Sequence, residues 1–210
     1  MRFGVLVSGS GSNLQAILDA EKRGELGPGK IAVVLSNVPS ALALERAARA
    51  GVPTEIVDHK VVRDRAVFDQ ALVAALGKHD VDWVVLAGFM RLVGAGFLQA
   101  FGGRVVNIHP ALLPAFPGMH GARQALEYGV RIAGCTVHFV DEGCDTGPII
   151  AQRAVAVHEG DDEARLQARI QVEEHRLFPA VLRAIADGRV SRQGRRVAIT
   201  GDVLRFGHVD

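Results

Sequence analysis

Cysteine is scarce in this chain. Only Cys135 and Cys144 occur among 210 residues, too few for a disulfide framework or a thiolate metal site. Both thiols are expected to be free, in a reducing cytoplasm. An excess of one charge is also missing: 24 Lys and Arg against 23 Asp and Glu leave a net charge of +1, which gives no basic field for nucleic acid. No apolar run approaches the ~20 residues of a membrane helix, and no signal-peptide core precedes the first apolar segment, residues 3–7. Two nucleotide signatures fail as well. There is no G-x-x-x-x-G-K-[ST], which excludes a P-loop, and after Gly9 and Gly11 the third position of a dinucleotide fingerprint is Leu14. Residues 31–37 form an apolar strand that ends without the acidic residue needed to hold a ribose.

What is present is a soluble α/β pattern. Apolar strand-like runs at 2–8, 31–37, 54–58 and 83–87 alternate with amphipathic helical stretches at 14–18, 41–50 and 65–76. This alternation predicts a doubly wound, mostly parallel sheet. Residues 105–109 continue it. Beyond them, 134–140 and 149–157 read as a hairpin-like pair that adds antiparallel strands toward the C-terminus. A long helix capped by Asp161 or Asp162 follows, with a kink or break expected at Pro179. A terminal hairpin is expected from 197–199 and 203–204 around Gly201-Asp202. No repeat, linker or low-complexity segment divides the chain, so residues 1–210 are read as one domain.

Two stretches carry chemistry. Ser8-Gly9-Ser10-Gly11-Ser12-Asn13 joins a strand to a helix, where backbone N–H groups and the helix dipole favour an anion. Two glycines and three serines exceed what a cap requires, and a small phosphate monoester fits better than NAD or ATP. In Val105-Val106-Asn107-Ile108-His109-Pro110 the side chains of Asn107 and His109 leave one face of an extended strand. An amide donor and an imidazole at a strand end suit a developing oxyanion. The apolar loop Gly88-Phe89-Met90-Arg91-Leu92-Val93 follows a central strand, where open α/β sheets place ligands. Residues 115–121 read as a loop over this site, a lid candidate, in which His120 is an additional candidate contact. The acidic loop 141–148 lacks the spacing of a calcium loop, so no metal is expected.

Four motifs occur in register: Gly9-x-Gly11-Ser12-Asn13-Leu14-Gln15-Ala16, Leu86-Ala87-Gly88-Phe89-Met90-Arg91, Asn107-Ile108-His109-Pro110-x-Leu112-Leu113-Pro114 and Asp145-x-Gly147-Pro148. With them the chain resembles the folate-dependent phosphoribosylglycinamide formyltransferases of purine synthesis over nearly its whole length. The resemblance implies a Rossmann-like formyltransferase fold spanning 1–210 and a catalytic set of Asn107, His109 and Asp145. It implies ribonucleotide contacts at Gly11, Ser12, Asn13, Gln171 and Glu174, and folate contacts at Met90, Arg91, Leu92, Val93, Val140, Asp141 and Asp145. The co-substrate implied is 10-formyltetrahydrofolate, with no metal, nucleic acid or membrane partner, in a monomer or homodimer. One departure is local: Gly121-Ala122 follow His120 where the family often carries histidine or basic residues. Among relatives with the same Asn–His…Asp set, methionyl-tRNA formyltransferase should add a basic C-terminal domain and formyltetrahydrofolate hydrolase an N-terminal regulatory one. A non-enzymatic nucleotide-binding module would explain the glycine turn but not the Asn–His–Asp set.

Overall fold

The computed structural model describes residues 1–201. A seven-stranded sheet has the order β3-β2-β1-β4-β5-β6-β7, formed by Thr54–Ile56, Lys30–Ser36, Arg2–Val7, Trp83–Leu86, Val105–His109, Ile132–Phe139 and Ile149–Ala156. The first five strands in the chain pair in parallel, and β6 and β7 run antiparallel. The sequence predicts this mixture: β1, β2, β4 and β5 are near-continuous apolar runs, as strands covered on both faces must be. The helices α1 (Ser12–Lys22), α2 (Leu42–Arg49), α3 (Arg65–Gly77), α4 (Ala95–Phe101), α5 (Gly121–Tyr128) and α6 (Glu163–Ala186) supply those covers. One core layer packs β1, β5 and β6 against α1 and α6; the other packs β2 and β4 against α3 and α4.

One expectation needs correction. Pro179 does not break α6, which continues from Glu163 to Ala186. A proline inside a helix costs about 3 kcal/mol. Here Leu177, Phe178, Pro179, Val181 and Leu182 are all buried, and at roughly 1.5–3 kcal/mol for each large apolar side chain that packing outweighs the loss. A hairpin that the sequence reading does not anticipate follows α6. It pairs β8 (Val190–Gln193) with β9 (Arg196–Ile199) across Gly194-Arg195, where Gly194 takes the positive φ of 58° that a two-residue turn requires. The expected partner strand at 203–204 lies outside the described residues.

The register places the site. Leu6 of β1 faces Leu86 of β4, Leu86 faces Asn107 of β5, and Asn107 faces His138 of β6. The turn after β1, the loop after β4 and the end of β5 therefore open on one edge of the sheet. At ≈ 4.8 Å per strand spacing, β1 and β5 stand roughly 10 Å apart.

Candidate active site

β5 is buried apart from a half-buried Asn107. His109 is buried, with Nδ1 3.3 Å from Asp145 Oδ2 and Nε2 2.9 Å from the Phe116 carbonyl oxygen. Both ring nitrogens face acceptors, so a ring carrying both protons satisfies the two contacts together. Asn107 Nδ2 lies 3.1 Å from His138 Nε2, while His138 Nδ1 lies 2.8 Å from the Phe139 carbonyl. This arrangement fits a neutral His138 that donates through Nδ1 and accepts the Asn107 amide at Nε2.

Asp145 joins the two histidines. Its Oδ2 also accepts the Gly118 N–H at 2.8 Å, and its Oδ1 lies 3.6 Å from His138 Nε2. Burial pushes this carboxyl up. The His138 contact, the Gly118 N–H and the field of His109 together outweigh burial and hold it at about 2. At 3.6 Å the His138 contact is long for a hydrogen bond. A neutral ring that accepts at Nε2 offers the carboxylate neither a proton nor a charge, so the Gly118 N–H and the field of His109 are the causes the geometry supports. Asp145 sits at φ 56°, a left-handed conformation that Asp tolerates better than most residues.

Residues 115–121 are tied down on several sides. Besides Phe116 and Gly118, the Gln124 amide donates to the Pro117 and Met119 carbonyls, and His120 Nδ1 meets Glu163 Oε1 at 3.2 Å. The side chain of His120 is thus engaged by α6.

The second cluster surrounds the glycine turn. Gly11 is the N-cap of α1 at φ 71°, and a Cβ there would come within 2.6 Å of Ala43 Cβ on α2. Gln171 donates to Ser12 Oγ at 2.8 Å and Asn13 Nδ2 donates to Glu174 Oε2 at 3.0 Å. The structure thus brings together all five residues assigned to the ribonucleotide by resemblance. Glu174 is buried, which pushes its carboxyl up against the opposing hydrogen bond from Asn13. Replacing Gly11 with Ala should lower the melting temperature at constant pH. Strained φ and overpacking each contribute about 1–3 kcal/mol, and each kcal/mol corresponds to ~2–4 °C at this size. An unchanged melting temperature would show that α2 yields freely at this contact.

The loop after β4 makes a third cluster. Ser8 clamps it, donating its backbone N–H to the Gly88 carbonyl at 3.1 Å and accepting the Met90 N–H on its hydroxyl at 2.8 Å. Leu86, Phe89, Arg91, Leu92, Val93, Val140, Asp141 and Gly143 line a cleft that reaches Asn107, His138 and Asp145. Met90 and Leu92 are exposed, and the Arg91 guanidinium lies over the Phe68 ring at 5.3 Å. Every folate-assigned residue except Met90 lines this cleft. His138 was missed by sequence reasoning; its signal was the alternation that puts Thr136 and His138 on one face of an otherwise apolar strand.

The chain belongs to the formyl transferase family, whose model matches residues 1–182. Within the family its relatives include phosphoribosylglycinamide formyltransferases. It is 42% identical to the Escherichia coli enzyme, covering 97% of this chain and 96% of that one, and 43% identical to the Bacillus subtilis enzyme, covering 88% and 94%. The solved glycinamide ribonucleotide transformylase 1 of Symbiobacterium toebii superposes with a TM-score of 0.93 at 54% identity, covering 95% of this chain and 93% of that chain. The chain is also 46% identical to part of the human trifunctional purine biosynthetic protein adenosine-3, but spans only 19% of that protein's length.

Proposed function

We propose that the chain transfers the formyl group of 10-formyltetrahydrofolate to the amine of 5'-phosphoribosylglycinamide. The observation that carries this reading is the convergence of Asn107, His109 and Asp145 on the sheet edge that also holds the Gly11–Asn13 turn. The phosphate sits on the N–H groups of Gly11, Ser12 and Asn13, with Gln171 and Glu174 toward the ribose and glycinamide. The spacing of roughly 10 Å between β1 and β5 suits one ribosyl unit. Leu92 and Val93 give the folate ring an apolar wall, and Val140 and Asp141 complete the lining of the cleft.

The amine attacks the formyl carbon directly, so no side-chain nucleophile is required. Asn107 retains one amide N–H beyond its bond to His138, and this donates to the oxyanion. His109 supplies a second donor through Nε2–H once the Phe116 carbonyl moves off it. Asp145 orients the imidazole through Nδ1, balances its charge and helps to carry the proton from the attacking amine to the leaving nitrogen. The test is release of tetrahydrofolate with and without the amine. Release only in its presence, with formylated ribonucleotide as product, supports transfer. Equal release without the amine would make the enzyme a hydrolase.

A further inference from the structure

Three parts of α2 support the glycine turn. The Ala43 N–H donates to the Gly9 carbonyl at 3.1 Å, Ala43 Cβ lies under Gly11, and Arg46 Nε donates to the Ser10 carbonyl at 2.8 Å. Arg46 Nη1 also donates to Gln15 Oε1 at 3.1 Å. The Nη2 group has no protein partner among the described residues, and Arg46 is in no ion pair there.

The turn needs such a cation. The groups assigned to the phosphate are uncharged, and the carboxylate of Glu174 stands beside Asn13. A groove along α1 from Ser12 is lined by Gln15, Asp19, Arg23, Arg46 and His175. Within it, Arg23 is committed to Glu25 through two bonds, at 2.8 and 2.7 Å. His175 is held toward its neutral form by burial, and Asp19 accepts the Gln15 amide. Among the described residues Arg46 is left as the groove's unpaired cation.

We infer that Arg46 is a phosphate-discriminating residue: from α2 it masks the Ser10 carbonyl and supplies the positive charge that a phosphate monoester dianion on the Gly11–Asn13 turn lacks. This rests on the ribonucleotide placement proposed above. A guanidinium already fixed at two nitrogens loses little freedom on binding, and a charge-assisted bond is about twice as strong as a neutral one.

The experiment compares the wild-type chain with R46M and R46K on the ribonucleotide and on the phosphate-free glycinamide riboside. R46M should raise the ribonucleotide KM roughly 10- to 100-fold. The ratio of kcat/KM between the two substrates should shrink by the same factor, and R46K should fall between. Equal losses on both substrates would overturn the inference and leave Arg46 as a support of the turn. A second measurement uses the wild-type chain alone: phenylglyoxal modification of Arg46, read by mass spectrometry, with and without inorganic phosphate. Protection supports the site even if R46M does not fold. It does so too if the wild type forms no formylated ribonucleotide, the result that would fail the proposed function itself. Modification at the same rate with and without phosphate would overturn the inference.

Discussion

Asp145→Asn should leave a folded protein whose turnover is down by ~10²–10⁴-fold. Asparagine is isosteric and accepts the left-handed backbone at this position at least as readily as aspartate, so φ 56° gives no reason for misfolding. The oxygen that accepts the Gly118 N–H can be kept, but the charge facing His109 at 3.3 Å and His138 at 3.6 Å is lost. The glycine turn and the apolar wall are untouched, so both KM values should change far less than kcat. Stability supplies an independent check. The Asp145 carboxyl lies at about 2, below its ordinary 3.8. Its contribution is therefore full above about pH 4 and lost as pH falls through about 2. The wild type should melt above the variant at neutral pH, and the gap should close as the buffer is taken from pH 4 to pH 2. Exchange of the Gly118 amide should quicken in the variant. Near-normal turnover would remove Asp145 from the chemistry.

Asn107→Leu should cost ~10²–10³ in kcat, the usual loss when one oxyanion donor is removed. Leucine keeps the volume and the strand while deleting the amide. Two things go with that amide: the N–H available to the oxyanion, and the bond that occupies His138 Nε2 at 3.1 Å. The ribonucleotide KM should stay within a few-fold, because Asn107 is outside both the phosphate and the ribose contacts. His138→Phe separates the two effects, since it leaves the donor but releases its orientation. Its loss in kcat should be smaller than that of Asn107→Leu. The opposite order would assign the oxyanion contact to the histidine.

Much of this site is readable along the chain because the residues involved are near one another in sequence. Asn107 and His109 are two apart on a strand, and the period of an extended chain alone puts them on one face. The glycine turn between a strand and a helix declares itself by composition. Contacts between distant segments do not. Gln171 reaches Ser12 across 159 residues and Glu174 reaches Asn13 across 161, which no local pattern encodes; only resemblance named them. His138 escaped for the same reason, since its role comes from antiparallel pairing across 31 residues. Pro179 misled in another way. The local rule for proline is sound, but five buried side chains on that stretch of α6 override it.

The pairing of Asn107 with His138 also sets where this enzyme can change length. Side chains alternate faces along a strand, so one residue inserted or deleted within β5 or β6 moves either Asn107 and His109, or His138, to the far side of the sheet. Gene variants with a single codon gained inside 105–109 or 135–138 should therefore be inactive even when they fold. Length changes in the exposed Arg131 region between α5 and β6, or at the Gly194-Arg195 tip, leave the row Leu6–Leu86–Asn107–His138 aligned. A library of such insertions, selected for growth on purine-free medium, would map the alignment as a sharp boundary between forbidden strand and permissive loop.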